Sequence, residues 1–509
     1  KIYGGDHTCS NPIINSNHKQ ATAKFICTKV LPHVRSNPSY TAKSVQELMA
    51  NTYKIQISYM RAWKGLSKAV STIFGDWESS YNDLPQFLRA IQKCNPGTVY
   101  HVHTEGVQFW GAFWAFGPSI AGFKHCRPVL SIDGTHLYGK YQGTLLVATG
   151  VDANNSLFPL AFAIVRTESA ETWGWFFSCM GHLIPSLNAR CITFISDRMK
   201  GIPTALQEKW RRPHHHRFCL RHLKANFKKA GFGSKILQNL FHASAEARDE
   251  LTYKELRDQL KNVSPAADRW IDRSLRHKDE QWALYKDNGE CFCMMTTNAS
   301  ESFNGVLKGA RSLPVKALVA RTFHHLNSYF YRRRTGGMDY ASSLTPNYDK
   351  MMEKYSAEAR NMSINRFSLT EWQVTDTNAC NYTVNIANDS CSCSCNIPIL
   401  THFPCPHVLA ACARCRGGAN RAYHDLISSW FTADSYRHSY SPVFHPVPDS
   451  RYWDVHEGPT IIPPPTRRNT GRPRSTRIRG VMDEMDDRRQ DRCGQCGNLG
   501  HKRRTCGKQ

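Results

Sequence analysis

The chain has 509 residues, enough for several domains and a substantial buried core. It carries 66 Lys and Arg residues against 41 Asp and Glu residues, a formal net charge of +25. This charge favours a polyanionic partner such as DNA, although it could simply keep a basic protein soluble. No apolar run reaches the roughly 18 residues that a membrane span needs, which argues against a membrane-embedded role.

The first two regions are predicted to be a short polar segment, 1–30, and a mostly helical region, 31–125. Apolar residues recur at helical spacing from Val45 to Tyr53, and Ser58 is placed to cap a second helix, Tyr59–Ile73. The second helix carries three basic residues, Arg61, Lys64 and Lys68. The pair is interpreted either as a helix-turn-helix DNA reader or as a packed helical pair.

From Arg127 onwards the pattern changes to short apolar runs rich in β-forming residues. Three strands are predicted, followed by a helix and a fourth strand: Pro128–Ile132, Thr144–Val151, Leu157–Val165, Glu171–Leu183 and Cys191–Ile195. Residues 203–375 have a helical pattern again. The sequence therefore predicts an α/β fold with flanking helices and small zinc-binding modules.

Two acidic residues stand where predicted strands end, Asp133 in "SIDGTH" and Asp197 in "ITFISD". A buried carboxylate is costly unless it is paired or binds a cation, and neighbouring strands lie about 5 Å apart. The two acids could therefore share Mg²⁺, with Glu301 on a predicted helix as the third ligand. Alternatively, Asp133 opens an Asp-Gly turn. Asp152 in "GVDANN" is interpreted as a structural turn residue.

The order Asp133, Asp197, Glu301 and the segments "SIDGTHLYGKYQGT" and "NASESFNGVLK" resemble the Mutator-like plant transposases. This resemblance implies a ribonuclease-H-like catalytic core over residues 126–375, with a helical insertion between the second Asp and the Glu. It also implies that Mg²⁺ or Mn²⁺ supports cleavage of transposon ends and joining to target DNA. Cys219 and His222 match a Cys-x-x-His pair of that family, with either a metal-binding or a structural role.

The 19 cysteines are clustered and interleaved with histidines, which favours zinc in a reducing compartment over a disulfide framework. The segment "CSCSCNIPILTHFPCPH", within residues 376–420, resembles a SWIM zinc finger. The ligands chosen by the family spacing are Cys393, Cys395, Cys405 and His407, with Cys391 as the spare. Cys412 and Cys415 lie on an apolar helix and are interpreted as buried core residues.

A Pro- and Arg-rich basic linker is predicted for residues 421–490, and a zinc knuckle for 491–509. The four knuckle ligands are Cys493, Cys496, His501 and Cys506. Four basic residues nearby are candidate nucleic-acid contacts: Arg472 and Arg474 in an AT-hook-like core, and Lys502 and Arg503 in the knuckle. A solvated linker, a nuclear-import signal and a purely structural knuckle are the alternatives. Two structural Zn²⁺ ions are expected in total.

The N-terminal segment "GGDHTCSNP" resembles the end of the DNA-binding zinc finger that precedes these transposases. His7 and Cys9 would be its last two ligands, and the chain is expected to lack the true start. Two functions remain: a nuclear DNA transposase that acts on transposon ends and target DNA, or a non-catalytic regulator derived from one, of the plant far-red-response type. Whether copies of the chain form a homo-oligomer stays open.

Overall fold

The computed structural model describes residues 21–37, 40–199, 201–275, 278–387, 390–414, 425–454 and 458–465. All of them belong to one unit, Lys1–Pro465. Predictions for the finger remnant, the AT-hook-like core, the knuckle and Cys415 lie outside the described residues. They concern His7, Cys9, Arg472, Arg474, Cys493, Cys496, His501, Lys502, Arg503 and Cys506. Within the described ranges, no helix is both long and apolar enough to cross a membrane.

A mixed seven-stranded sheet runs through the centre of this unit. Its strands are β1 Val99–Glu105, β2 Gln108–Ala115, β3 Val129–His136, β4 Thr144–Val151, β5 Leu157–Val165, β6 Ile192–Ser196 and β7 His214–Phe218. The strand order is β1-β2-β5-β4-β3-β6-β7. Pairing is antiparallel from β1 to β3, and parallel for β3 with β6 and β6 with β7. The predicted mixed α/β fold is confirmed.

Helices surround this sheet and continue beyond it. Their bounds are α1 Ala23–Ser36, α2 Ala42–Tyr53, α3 Tyr59–Phe74, α4 Ser79–Asn82, α5 Leu84–Cys94, α6 Gly117–Phe123, α7 Ala170–Leu183, α8 Gly201–Lys209, α9 Leu220–Lys229, α10 Lys235–Glu246, α11 Glu250–Val263, α12 Pro265–Leu275, α13 Asn298–Val306, α14 Val315–Met338, α15 Pro346–Ala359, α16 Ile397–Thr401, α17 Pro406–Cys412 and α18 Ala433–Tyr440. Ser58 caps α3 as predicted, since its hydroxyl accepts the N–H of Arg61. The packing of α3 on α1 is close: a Cβ at Gly65 would lie 2.3 Å from Ile26 Cγ2.

A second, four-stranded sheet has the order β11-β10-β9-β8. Its strands are β8 Ser363–Arg366, β9 Glu371–Thr375, β10 Asn381–Ala387 and β11 Ser390–Cys393. Each neighbouring pair is antiparallel. The sheet and α17 share a small hydrophobic core that includes Trp372, Val374 and Val408. Trp372 and Val374 of this core precede the segment 376–420 that is predicted as the zinc module.

Three expectations about secondary structure were wrong. The region 31–125 was predicted to be mostly helical, but it contains the hairpin β1–β2. The second strand, "QFWGAFWA", is buried and lacks the polar alternation that would have indicated a strand. β3 continues to His136, so Asp133 lies within the strand rather than at its end, and Gly134 pairs with Leu146 rather than forming a turn. Residues 425–454 and 458–465 are not an extended linker: α18 is packed in the core, and Ile462 pairs with the β1–β2 hairpin.

A helical insertion separates β7 from α13, between Asp197 and Glu301 as the resemblance implied. It has its own hydrophobic core, in which the Phe227 ring stacks on Phe241 and the Phe241 ring on Trp282. A buried ion pair between Arg217 and Asp287, at 2.8 Å, fixes its last segment to the end of β7. Burying both charges is costly without such a close contact, so this pair specifies where the insertion returns to the core.

Asp152 is fully buried in the turn after β4 and holds this turn to α18. Its carboxylate accepts the backbone N–H groups of Asn154 at 2.9 Å and Ser156 at 2.8 Å, and the Tyr440 hydroxyl at 2.7 Å. Burial raises the pKa of Asp152, and the nearby Arg333 guanidinium opposes that rise. These contacts support the structural role assigned to Asp152 from the sequence.

Replacing Tyr440 by Phe should therefore destabilise the protein. The change removes one donor and leaves a buried carboxylate oxygen short of a partner, which typically costs about 1–3 kcal/mol. Chemical denaturation followed by fluorescence measures the free energy of unfolding. Tyr452→Phe is the matched control, because that ring is 73% exposed. An equal change in both variants would contradict the structural role of the Asp152–Tyr440 bond.

Candidate functional site

Asp133 lies on β3, and Asp197 directly follows the adjacent parallel strand β6. The β3–β6 register pairs Ser131 with Ile195, and each acid follows two residues later on its own segment. Asp133 is half-buried, and its Oδ2 accepts a hydrogen bond from Asn304 Nδ2 at 2.8 Å. Asp197 Oδ1 accepts the backbone N–H of Met199 at 3.1 Å. The strand pairing thus brings together two of the three predicted catalytic acids.

Glu301 reaches this region on α13, which is fixed to β3. Ser300 Oγ donates to the carbonyl oxygen of Ser131 at 2.7 Å, one residue from Glu301 and two from Asp133. The Glu301 carboxylate forms an ion pair with Arg221, accepts a 3.3 Å hydrogen bond from Thr297 Oγ1 and lies 3.6 Å from His222 Nε2. Glu301 therefore points towards the start of α9. The oxygens of the three acids are not all within 4.8 Å of one another in the described structure.

The electrostatics around Asp133 fit a divalent cation. The pKa of Asp133 is raised to about 6: burial is the largest cause and the negative charges of Glu301 and Asp197 add to it, while His222 and the Asn304 hydrogen bond oppose the rise. Within the described residues, Asn304 Oδ1 is buried without a hydrogen-bond partner. Carboxylate and amide oxygens are the ligands that Mg²⁺ prefers, and a bound cation would relieve the repulsion between the acids.

A fourth acid, Glu168, belongs to the same region and was not selected from the sequence. A Cβ on Gly134 would lie 2.8–2.9 Å from the Glu168 carboxyl group, so the glycine beside Asp133 makes room for it. Trp173 Nε1 donates to Glu168 Oε1 at 3.2 Å. Burial raises the pKa of Glu168, and the Asp197 charge adds to that rise. The capping box of α7, which begins at Ser169, is the only sequence signal near it.

Cys219 and His222 adjoin Glu301 rather than forming a separate site. The Cys219 thiol accepts the backbone N–H of Thr297 at 3.2 Å and its hydroxyl at 3.3 Å. Burial acts to raise the pKa of Cys219, but hydrogen bonds from His222 and Thr297 lower it overall, and the bond to Cys219 raises the pKa of His222. Ligand atoms of Cys219, His222 and Glu301 lie within 4.8 Å of one another. Both a metal-binding and a structural role remain compatible with these contacts.

The second sheet holds four metal-ligand side chains in one cluster. Cys393 ends β11, Cys395 follows in the turn, and Cys405 caps α17 by accepting the N–H of Val408 at 3.4 Å. The thiols of Cys393 and Cys405 lie 3.5 and 3.7 Å from His407 Nδ1. All four ligand atoms lie within 4.8 Å of one another, a set of three sulfurs and one nitrogen that fits tetrahedral zinc.

Two further cysteines near this cluster are excluded from it. Cys391 is on β11 but is not among the four convergent ligands, and Cys412 is buried in the hydrophobic core on α17. The ring of Tyr382 stacks on His407 with centroids 3.8 Å apart, which orients the imidazole.

Another cluster in the described part of the chain joins Cys191, His215 and Glu290 at the other end of β6. No sequence motif predicted that group.

Comparison with known families finds two domains in the chain. Residues 129–226 match the MULE transposase domain, and residues 382–416 match the SWIM zinc finger. The chain carries a MULE transposase domain and a SWIM zinc finger. The MULE match includes Asp133, Asp197, Cys219 and His222 but ends before Glu301. The SWIM match includes all four clustered ligands, which supports Zn²⁺ as the ion bound there.

Among curated proteins, the chain is similar to Protein FAR1-RELATED SEQUENCE 6 of Arabidopsis thaliana. The two are 26% identical over 151 residues, which is 29% of this chain and 20% of that relative. The matched part thus spans only about a fifth of the relative's length. Together with the MULE and SWIM domains, this similarity indicates a transposase-related protein.

Cys395→Ser should remove about one zinc ion per chain, because the SWIM finger needs all four ligands to close a tetrahedral site. Elemental analysis of the purified protein against its concentration measures the loss. Cys391→Ser and Cys412→Ser are matched controls that should keep the wild-type zinc content. Loss of zinc in Cys391→Ser, with Cys395→Ser unchanged, would contradict the ligand set.

Proposed function

We propose that this protein is a DNA transposase that cleaves transposon ends and joins the freed 3′-hydroxyl to target DNA. The observation that carries the proposal is the position of Asp133 on β3 and of Asp197 directly after the adjacent parallel strand β6, with Glu301 on the helix bonded to β3. Phosphodiester chemistry of this kind needs oxygen ligands that hold divalent cations at the scissile phosphate. The MULE domain supports the same function.

We further propose that the core is ribonuclease-H-like. In support, three antiparallel strands, β3 to β5, are followed by α7 and then by β6 and β7, which lie parallel to β3. The acids lie at the centre of this sheet, on β3 and directly after β6. The helical insertion falls between Asp197 and Glu301, where the resemblance to Mutator-like transposases implies it. The domain boundaries proposed from the sequence need one change: residues up to 465 belong to the folded unit.

In this mechanism Asp133 and Asp197 would hold the catalytic Mg²⁺ or Mn²⁺, and the Asn304 amide oxygen, which has no hydrogen-bond partner in the described residues, would add a neutral ligand. Cations bound there would supply activation of the attacking oxygen and stabilisation of the leaving oxygen of an in-line displacement. Arg221 pairs with the Glu301 carboxylate and is mostly exposed, so it is also placed to contact a DNA phosphate. Thr297 and His222 orient Glu301 from the other side. The two aspartates are thus proposed as cation ligands, whereas Arg221, Thr297 and His222 position the Glu301 carboxylate.

The affinity for DNA would come from elsewhere on the chain. A net charge of +25 supplies sequence-independent attraction to phosphate. The AT-hook-like core with Arg472 and Arg474, and the knuckle with Lys502 and Arg503, are proposed as further contacts. The knuckle would hold the second structural Zn²⁺. A protein with this activity would act in the nucleus.

A regulator derived from a transposase is the second candidate. The similarity to Protein FAR1-RELATED SEQUENCE 6 is compatible with this candidate, since the sequence also resembles the plant far-red-response regulators. Such a protein would keep the fold, the zinc finger and DNA binding without cleavage. The retention of all three acids, together with the unpartnered Asn304 oxygen beside Asp133, favours the enzyme.

Asp133→Ala should abolish cleavage of DNA that carries the element's own terminal repeats, in Mg²⁺ or Mn²⁺. We expect a loss of ~100-fold or more, because even residues that only support metal ligands are worth 10–100-fold. Binding to the same DNA, measured by fluorescence anisotropy, should persist. Binding by wild-type protein with no cleavage in either ion would favour the regulator instead.

Glu168→Gln should lower cleavage by roughly 10–100-fold and leave DNA binding unchanged, since its carboxyl group occupies the space that a Cβ on Gly134, beside Asp133, would need. Glu171→Gln is the matched control: it lies three residues away, in the first turn of α7, and is exposed. Equal cleavage by the two variants would remove Glu168 from the site. The assay compares initial rates at one DNA concentration and several Mg²⁺ concentrations.

A further inference from the structure

A pocket of about 360 Å³ lies beside the catalytic region and has no role in the chemistry proposed above. Its walls come from the start of α2, from α3, and from the segments that follow β3 and α13. Five aromatic side chains line it, together with two lysines. The aromatic residues are Tyr40, Tyr59, Trp63, Trp77 and Tyr138, and the lysines are Lys140 and Lys308.

The pocket is close to the catalytic acids along the chain. Tyr138 follows Asp133 by five residues, so the two Cα atoms are at most about 18 Å apart. Lys308 follows Glu301 by about two helical turns, just beyond α13. The pocket therefore lies within a few nucleotides' length of the acids.

The aromatic rings offer free faces to a ligand. Tyr59 and Tyr138 are each 58% exposed, although both are large and partly apolar. Tyr138 is held in place, because its backbone N–H donates to the carbonyl oxygen of Arg311 at 2.9 Å and the Arg311 guanidinium lies 4.9 Å from its ring centroid. An exposed ring held in this way loses little conformational freedom when another ring stacks on it.

Trp77 supplies a second, independent observation. Its side chain lines the pocket and is only 7% exposed, yet its indole Nε1–H is buried without a hydrogen-bond partner within the described residues. A buried donor of this kind usually has a partner. Lys140 is paired with Glu78, whereas Lys308 is exposed and is the lysine placed to meet a phosphate. The pocket therefore combines exposed aromatic rings with an exposed cation, and one of its wall residues carries an indole N–H without a partner in the described residues.

We propose that this pocket binds an unstacked nucleobase of the DNA strand that runs to the catalytic acids. A nucleobase is planar and is attached to a phosphate, which matches the exposed aromatic rings and Lys308 of the pocket. The proposal rests on the proposed function only in taking DNA as the substrate. It also gives the α2–α3 pair a different role from reading a groove as a helix-turn-helix.

The test compares two single-stranded probes of equal length, oligo(dT) of about 12 nucleotides and an abasic oligonucleotide with the same backbone. Wild-type protein should bind oligo(dT) more tightly, and Tyr59→Ala and Tyr138→Ala should each weaken that binding by roughly 5–10-fold or more. Neither variant should change binding to the abasic probe. Fluorescence anisotropy with labelled probes gives both affinities, and Tyr59→Phe should retain wild-type affinity because it keeps the ring.

Tyr331→Ala is the matched control, a tyrosine on α14 that is 64% exposed and does not line the pocket. Equal affinity of wild-type protein for the two probes would overturn the proposal, and so would equal losses in Tyr331→Ala and Tyr138→Ala. Circular dichroism of each variant confirms folding. Because the readout is binding of single strands without a cleavage step, a protein that does not cleave DNA can still pass or fail this test.

Discussion

Two carboxylates stand next to each other because β3 and β6 run parallel, and the surrounding structure has to accommodate their like charges. Asp133 is half-buried within β3, and Asp197 emerges directly after β6. Burial and the neighbouring acids raise the pKa of Asp133 to about 6, so the ionised pair is unfavourable without a counter-charge. Three features surround this pair of acids: the Asn304 amide on α13 donates to Asp133, Gly134 leaves room for Glu168, and Arg221 on α9 pairs with Glu301.

The local sequence predicted the strands of the core well. β4 and β5 have the predicted bounds, because each is a short apolar run rich in β-forming residues and bounded by turn residues. The hairpin β1–β2 was missed because its second strand is buried over nearly its whole length and shows no alternation that would distinguish it from a helix. Residues 425–454 and 458–465 were predicted to belong to a linker because the segment is rich in proline. They are folded instead, since Tyr440 and Ile462 make contacts that the sequence pattern does not indicate.

The candidate sites differ in how far the sequence could define them. The zinc finger ligands are close in the chain, so their spacing and the SWIM resemblance selected the same four residues that the structure brings together. The catalytic acids are far apart, and only the resemblance linked Glu301 to the two aspartates. Glu168 was not predicted as a site residue. Its closeness to Gly134 depends on the sheet order β5-β4-β3, which no local sequence pattern encodes.

The insertion is not an independent appendage, because its first helix begins at the catalytic region. The N–H of Cys219 donates to the carbonyl oxygen of Ser196, the residue before Asp197, and Leu220 donates to Met295 just before α13. From that anchored start, α9 carries Arg221 and His222 to the Glu301 carboxylate. Any ligand that displaces α9 must therefore change the contacts of Glu301, while β3 and β6 stay fixed by their pairing. Of the three acids, Glu301 is the one whose position the insertion can control.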